Sequence, residues 1–432
     1  MKRIKISLPA LLLALALLTA GCAQGAQSGT AGGAQSGTAP GTVSSFPAKQ
    51  ITALSFEKRS ELVGKPAEGS KNDAVTCAVQ AMAGKTAPLM LSSGKNSCFS
   101  PVSIYFALSA LCLGADGETE KEILSYLSFD SEDELADRCE ELFTRLLTDD
   151  GTSKLLLTDS LWVSPAAGIK KEYAERCAEK LFSSLKTADF TDVSGTKKQI
   201  SDFISENTNG KLSFEEELSP DTVAFILNTL YFNSQWITAF DKNMTAKDVF
   251  YTGKGEVSCD FMRGSFRTDV LDGEDMTAFA LYMEDGSRMV FILPDEGKFD
   301  AVLSDLFGHI SAAETRPERV NVIMPRFTAK GTVEMSEVLQ SLGVRRVFGG
   351  GAELYKMSDE GLFASRVYHG TFMRVYEEGA EAAAYTGIAL TKNAAPASQP
   401  IEIKLDRPFI YVTEAFDGTP LFCGVCADPS AE

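Results

Sequence analysis

Apolar positions in the first half of the chain recur every three or four residues, which is the period of an α-helix. One such run follows Ser100-Pro101, a pair typical of a helix start, and stops at Gly114. Thr119 with Glu122 resembles a capping box that opens the next helix. Further helices are predicted over residues 72–82, through the stretch that ends near 141, over 173–185 and over 196–208.

Strand patterns dominate the second half of the chain. Residues 223–232 form a nearly continuous apolar run, which is consistent with a strand buried on both faces. Pairs of apolar runs flank Asp285-Gly286 and Asp417-Gly418, and both pairs predict hairpins. Strands are also predicted over 155–163 and 320–327, and a helix over 333–342. Helices followed by strands indicate the α+β class, with large and mostly antiparallel sheets.

The first 22 residues have the pattern of an export signal. Lys2, Arg3 and Lys5 precede an apolar run over residues 8–18, which is too short to span a bilayer as a helix. The run ends in Leu-Thr-Ala-Gly-Cys22, which resembles a bacterial lipobox. We expect Cys22 to carry the lipid and to become the mature N-terminus; the alternative is an ordinary secretory signal with an incidental cysteine.

A tether is predicted next, over residues 23–48. This segment is rich in Gly, Ala, Ser and Thr, and Gly-Ala-Gln-Ser-Gly-Thr-Ala occurs twice, at 25–31 and 33–39. Because it holds almost no large apolar groups, it cannot bury a core and is expected to stay flexible. A single folded domain is predicted for residues 49–432. The expected location is the outer face of a bacterial membrane, held by the lipid alone, or the medium after release.

Charge and cysteine usage exclude several kinds of partner and site. The formal net charge is −18, so the surface should repel nucleic acid and heparin-like polysaccharides. Eight scattered cysteines follow Cys22, and we interpret them as small buried hydrophobes. Cys423 and Cys426 lie three apart in a predicted strand, so their sulfurs should face opposite sides. No redox or metal site is expected there.

Enzyme chemistry has little support in the sequence. The chain holds only two histidines, His309 and His369, and a Ser-His-Asp or Cys-His site needs a base beside its nucleophile. No Gly-x-Ser-x-Gly elbow, P-loop or HExxH motif is present. We therefore expect no catalytic residues, no metal and no cofactor.

Residues 377–400 have an unusual composition. After Glu381 their only charge is Lys392. Even-numbered positions from Ala380 to Leu390 would share one face of a strand, small at first and then larger and apolar. Ala and Gly are poor strand formers, so the composition fits a loop that can later become a strand. Taken alone, the segment is better interpreted as a flexible surface loop.

A series of short motifs is spread along most of the chain. They are Phe99-Ser-Pro-Val-Ser-Ile104, Leu113-Gly-Ala-Asp-Gly-Glu-Thr119, Asn207-Thr-Asn-Gly-Lys211, Asn228-Thr-Leu-Tyr-Phe232 with Trp236, Met324-Pro-Arg-Phe327, Glu377-Glu-Gly-Ala-Glu-Ala-Ala-Ala384, Arg407-Pro-Phe409 and residues 421–429. In order and spacing these motifs resemble the serpin family over about residues 68–429. His369 lies eight residues before Glu377, as the sheet-opening histidine of serpins does. Asn233-Ser234 departs from the family, which usually has Lys-Gly there.

The resemblance implies a fold and an activity. The fold is the serpin-like α+β fold with eight to nine helices, three β-sheets and an exposed reactive-centre loop over about 377–400. The activity is suicide inhibition of serine endopeptidases, with cysteine proteases as a second class, by a monomer that inserts its cleaved loop into the main sheet. The implied hinge residues are Glu377, Gly379, Ala380, Glu381, Ala382, Ala383 and Ala384. The implied polar latch under the sheet is Ser100, Ser103, Asn228 and His369.

The bait bond is placed by counting from Gly379, which gives Asn393-Ala394. Cleavage after Lys392 would suit trypsin-like targets, and cleavage after Ala394 or Ala395 would suit elastase- or subtilisin-like ones. Tyr385 falls on the outward face of the inserting strand, where it should not block insertion. Two other functions stay open: a non-inhibitory serpin that acts as a cell-surface binding protein, and an unrelated lipoprotein enzyme.

Overall fold

The structure, a computed structural model, describes residues 73–149, 152–222, 224–364, 366–380 and 399–431. The predicted signal segment, Cys22, the tether and residues 381–398 of the predicted loop lie outside the described residues. None of the helices in the described part is both long enough and apolar enough to cross a membrane.

Nine α-helices occur within the described residues. The second helix begins as predicted, because Ser100 is its N-cap and accepts a hydrogen bond from the Ser103 N–H, with Pro101 in the first turn. All of its residues are buried, so it forms the centre of the core. The helices are α1 Ala74–Met90, α2 Pro101–Gly114, α3 Gly117–Leu127, α4 Glu132–Leu146, α5 Lys171–Lys180, α6 Val193–Asn207, α7 Phe299–Ser304, α8 Leu306–Ala312 and α9 Ser336–Ser341.

Sixteen strands complete the described fold. Both predicted hairpins are confirmed, and Gly286 and Gly418 have the positive φ that such turns favour. The strands are β1 Ser97–Phe99, β2 Thr148–Asp149, β3 Lys154–Val163, β4 Ser184–Thr187, β5 Ala224–Gln235, β6 Ala246–Thr252, β7 Gly255–Asp272, β8 Met276–Tyr282, β9 Arg288–Pro294, β10 Glu314–Pro325, β11 Phe327–Glu334, β12 Tyr368–Tyr376, β13 Gly379–Ala380, β14 Ile401–Lys404, β15 Phe409–Glu414 and β16 Pro420–Cys426.

Three local predictions are wrong. The capping box fails because Asp116 caps α3, while Thr119 accepts a hydrogen bond from the Glu353 N–H at 3.1 Å. The helix predicted over 173–185 ends at Lys180, because Ser184–Thr187 leaves it to pair in parallel with β3. The strand β11 extends through Glu334, so the helix predicted from 333 starts three residues later.

Hydrogen bonding joins the strands into two networks, of nine and seven strands, within the described residues. The α+β class is confirmed, and the pairing is antiparallel except for β3 with β4 and β10 with β14. The resemblance implied three sheets, whereas the hydrogen bonds form two networks. The reason is that the long β7 pairs with β6, β8 and β10 at different points along its length and so joins all of these strands into one network.

The seven-stranded sheet lies between two apolar clusters. Its order is β11-β12-β13-β5-β3-β2, with β4 beside β3. One face packs on the main core, to which Leu230 and Phe232 of β5 belong. The other face carries Phe225 and Leu227, which pack in a smaller cluster with Ile200 of α6. Successive residues of β5 therefore face α2 and α6 alternately.

Candidate functional site

The seven-stranded sheet contains a short strand, β13, between two longer ones. Ala380 pairs with Val375 of β12 and with Ser234 of β5, and both pairings are antiparallel. Because β13 runs antiparallel to both neighbours, β5 and β12 run parallel to each other. A longer strand that is antiparallel to both β5 and β12 could therefore fit between them, and β13 has the position of the first two residues of such a strand.

The position of β13 between two strands explains why Gly379 and Ala380 are small. A Cβ on Gly379 would overlap the carbonyl oxygen of Ser234, so glycine is required where the chain enters the sheet. Ala380 is fully buried and faces the main core beside Val375. The structure thus places these two predicted hinge residues within the sheet, whereas Glu381, Ala382, Ala383 and Ala384 lie outside the described residues.

An ion pair anchors the turn before the hinge. Glu377 is 2% exposed, and both its carboxylate oxygens accept from Nε of Arg326 at 2.8 Å. Thr245 Oγ1 donates to the same carboxylate at 2.5 Å, and Lys242 pairs with Glu378. Burial alone would raise the pKa of Glu377, but the hydrogen bonds from Arg326 and Thr245 outweigh it and lower the pKa.

Backbone hydrogen bonds hold the same turn against the residues that follow β5. The N–H of Trp236 donates to the Glu378 carbonyl at 2.9 Å, and the Phe240 N–H donates to the Glu377 carbonyl at 2.9 Å. The indole Nε1 of Trp236 donates to the Tyr376 carbonyl at 3.0 Å. The chain therefore leaves β12 and enters the sheet through a turn fixed at several points.

Two of the predicted latch residues are in direct contact. The Ser100 N–H donates to Nε2 of His369 at 2.8 Å, which joins the start of α2 to the second residue of β12. His369 is buried, and burial lowers its pKa to about 4. The ring is therefore neutral at pH 7, with Nε2 unprotonated because it accepts this hydrogen bond.

Asn228 meets a partner that sequence reasoning missed. Its Nδ2 lies 3.4 Å from Oδ1 of Asp159, a fully buried residue directly opposite it on β3. The signal was a single acidic residue inside the apolar run 155–163. Oγ of Ser103 and Oδ1 of Asn228 are buried without a hydrogen-bond partner in the described part of the chain.

An apolar cavity of about 40 Å³ lies on the core side of the seven-stranded sheet, beside the last residues of β3 and the first residues of β5. Its walls come from α2, from β3 and β5, and from the segment before β12. Residues that line it include Leu108, Leu111, Leu161, Ala224, Ile226 and Val367.

The remaining candidate residues form no second site in the described chain. Cys423 and Cys426 are buried, and burial raises the pKa of both thiols well above the usual value. His309 is half-buried in α8. Within the described ranges, no group of three or more His, Cys, Asp or Glu side chains could hold a metal ion.

Comparison with known proteins identifies related chains. The family described as "Serpin (serine protease inhibitor)" matches residues 80–429. An uncharacterised serpin-like protein of Thermococcus kodakarensis is 30% identical over 351 residues, covering 79% of this chain and 82% of the relative. Alpha-1-antiproteinase 2 of Equus caballus is 29% identical over 352 residues, covering 78% of this chain and 83% of the relative.

Solved structures agree in fold. Serpin1 of Arabidopsis, in its native stressed conformation, aligns with a TM-score of 0.71 at 25% identity, over 84% of this chain and all 100% of that one. The thermophilic serpin tengpin, in its native state, aligns with a TM-score of 0.73 at 24% identity, over 85% and 98% of the two chains. Since the family matches most of its length, the chain belongs to the serpins.

Proposed function

We propose that this protein is a suicide-substrate inhibitor of serine endopeptidases, with cysteine proteases as a second class of target. The position of β13 carries the proposal. A hinge already paired between two parallel strands needs only to continue in order to become a full central strand. Serpins as a family inhibit proteases, and the inhibitory mode for this chain rests on the hinge and on the segment that follows it.

The register of β13 supports insertion of the whole segment. Continued from Ala380, it sets Ala382 between Phe232 and Met373, both buried on the core side. The same count brings Leu390 opposite Ala224, the first residue of β5. Residues 379–390 therefore match β5 along its full length.

The chemistry of the inserting face supports the same register. Ile388 would lie opposite Ile226 and Val367, which both line the apolar cavity on the core side. Leu390 would lie opposite Ala224, another lining residue. Thr386 would lie between Asn228 and His369, where buried polar atoms lack partners in the described structure. Apolar side chains thus meet an apolar cavity, and a hydroxyl meets the polar latch.

The proposed mechanism needs no catalytic residue from this chain. The target's serine attacks the carbonyl of the bait residue, the C–N bond breaks, and the new amine leaves as the N-terminus of the C-terminal fragment. The freed segment then inserts as a central strand and carries the acyl-linked protease with it. The protease is distorted before water can hydrolyse the ester. Before cleavage, the native fold persists because rearrangement is slow.

The proposal also includes the bond that the target protease cleaves and the location of the protein. Asn393-Ala394 is the favoured bond, with cleavage after Lys392, Ala394 or Ala395 as alternatives that separate trypsin-like targets from elastase- or subtilisin-like ones. The exported monomer is held at the outer membrane face by a lipid on Cys22. The wild type should then incorporate a labelled fatty acid and Cys22→Ala should not, and an unlabelled wild type would contradict the anchor.

One experiment tests the inhibitory function. The domain without its signal and tether is incubated with elastase, subtilisin and trypsin, and each mixture is run on a denaturing gel. We expect a complex with at least one protease that survives SDS, together with a C-terminal fragment whose first residue identifies the bait bond. Cleavage without a complex, and without a rise in thermal stability, would leave the non-inhibitory binding protein as the better description.

A further inference from the structure

Two arginines lie side by side on the outer face of the sheet that β7, β10 and β14 form. Arg267 of β7 and Arg319 of β10 are directly opposite each other in the antiparallel register, so their side chains leave the same face of the sheet. Both arginines are exposed, whereas Phe266 and Val320 next to them in the chain are buried. We call Arg267 and Arg319 the arginine pair.

The arginine pair is unfavourable for the fold by itself. The Cβ atoms of directly opposite residues lie about 4.5–5.5 Å apart, and like charges at that position destabilise a sheet. In the described part of the chain, neither guanidinium forms an ion pair or a hydrogen bond. Other arginines of the same strands do have partners, since Arg263 pairs with Asp248 at 2.9 Å and Arg316 with Asp272 at 2.9 Å.

The carboxylates on the same face do not neutralise the arginine pair. Asp269 lies two residues after Arg267, and its Oδ2 accepts a hydrogen bond from the Tyr282 hydroxyl at 2.5 Å. Glu402 of β14 is opposite Asn321 and exposed, and it forms no ion pair with either arginine. Both guanidinium groups are therefore available to an anion from outside the described chain.

The arginine pair lies where the predicted bait loop rejoins the fold. The strand β14 starts at Ile401, which is paired in parallel with Val320, so Pro400 is level with Arg319. The favoured bait bond, Asn393-Ala394, ends six residues before Pro400, which allows at most roughly 22 Å of extended chain between them. Protease–inhibitor contacts cover roughly 800 Å² of each partner, a patch about 30 Å across. A protease bound at the bait bond can therefore reach the arginine pair.

We propose that the arginine pair is a docking surface for carboxylates of the target protease, on the side of its cleft that holds the residues after the bait bond. This inference rests on the proposed function, and it concerns how the protease is first bound, before any bond is cleaved. The net charge of −18 repels an acidic protease as a whole. A local pair of positive charges gives such a protease one favourable orientation beside the loop.

The first test removes both guanidinium groups. Second-order rate constants of inhibition are measured for the wild type and for Arg267→Ala/Arg319→Ala, with each protease that the wild type traps. We expect the double variant to be roughly threefold to tenfold slower with at least one protease at about 0.1 M salt. The difference should shrink at about 1 M salt, where the Debye length falls from about 10 Å to about 3 Å. Arg267→Lys/Arg319→Lys keeps the charge and should stay closer to the wild type.

The matched control is Arg345→Ala/Arg346→Ala, which changes the net charge by the same amount. Arg345 and Arg346 are exposed and lie on the turn after α9, beside α3. Their bonds to Glu122 come from backbone N–H groups, which alanine keeps. This control should inhibit at the wild-type rate. An equal loss in both double variants would indicate a general effect of charge and would overturn the docking surface.

Stability separates docking from a structural role. Because like charges repel across the sheet, their removal should not destabilise the intact protein. We expect the melting temperature of Arg267→Ala/Arg319→Ala to equal that of the wild type within about 1 °C or to exceed it. A lower melting temperature together with slower inhibition would mean that the two arginines support the fold and do not dock the protease.

The outcomes also separate this inference from the proposed function. If the wild type traps proteases and the double variant traps each of them at the wild-type rate, the docking surface is overturned and the inhibitor survives. Weaker retention of the double variant on a heparin column, with unchanged inhibition rates, would overturn it in favour of an anionic polysaccharide as the occupant. A wild type that traps no protease overturns both.

Discussion

At the scale of single residues, His369 links the latch to pH. Its pKa falls to about 4 in the folded protein because it is buried, whereas the unfolded chain keeps an ordinary value near 6.5. Between these values the unfolded state binds the proton and the folded state does not, so stability falls as pH is lowered through this window. We predict a native state roughly 2 kcal/mol less stable at pH 5 than at pH 7 from this residue alone.

The measurement for His369 is unfolding by denaturant across pH 4.5–7. His369→Gln can still accept the Ser100 hydrogen bond through its side-chain oxygen but does not titrate in this range. Its stability should therefore vary less with pH than that of the wild type, while other ionisable groups contribute equally to both. Identical pH slopes for the two proteins would show that His369 does not titrate as a buried group.

Glu377 and Arg326 form the second residue-scale feature. Removing the guanidinium leaves a buried carboxylate whose remaining side-chain donor is Thr245. We predict that Arg326→Ala lowers the stability of the native protein by roughly 1–3 kcal/mol, because a buried charged acceptor loses its partner. Arg326→Lys keeps the charge but not the paired donors and should cost less. Chemical denaturation compares the three proteins, and a larger loss for the lysine variant would argue against this account.

Sequence reasoning at this scale succeeded where a residue type is dictated locally. Ser100-Pro101 marks a helix start in any context. Gly379 was identified through the family resemblance, because the backbone that leaves no room for a side chain there belongs to Ser234, far away in the chain. The Asp159 partner of Asn228 and the Arg326 partner of Glu377 were missed. Both contacts join residues far apart in the chain, so local spacing holds no record of them.

At the scale of elements, the inserting strand has a face on which charge is not tolerated. We predict that Ala382→Arg converts the inhibitor into a plain substrate, because residue 382 enters the row of Phe232 and Met373 in the core. Gel analysis with a protease that the wild type traps should show cleaved serpin and no complex. Gln399→Arg is the matched control, since Gln399 is exposed and lies on the C-terminal side of the bait bond, so the added charge does not enter the sheet and a complex should still form.

Helices and strands were predicted correctly where the hydrophobic pattern keeps one period along the whole element. Prediction failed where tertiary contacts end an element before its pattern does. The strand β3 and both hairpins have patterns that no neighbour overrides. The helix after Lys171 ends early because Ser184–Thr187 has an edge of β3 to pair with. The helix α2 was predicted from its helical period, and it is buried all round because it lies between other helices and the sheet.

At the scale of the whole molecule, the chain beyond the bait loop is part of the fold. Residues after 400 form β14, β15 and β16, which pair with β10, β9 and β1 in the nine-stranded network. The α+β class was predictable from the order of helical and strand patterns. The joining of the strands into two networks was not, because it depends on which distant strands meet β7.

This architecture predicts how the cleaved protein behaves. Cutting near Asn393 frees the inserting segment at one end, while the C-terminal fragment stays bound through β14–β16. The two pieces should therefore elute together from a sizing column and separate only in denaturant. Because the new central strand adds a row of hydrogen bonds, we expect the cleaved form to melt more than about 10 °C above the intact form. Separation of the fragments in native buffer would contradict the hold of β14–β16 on the fold, and equal melting temperatures would mean that the sheet does not take up the loop.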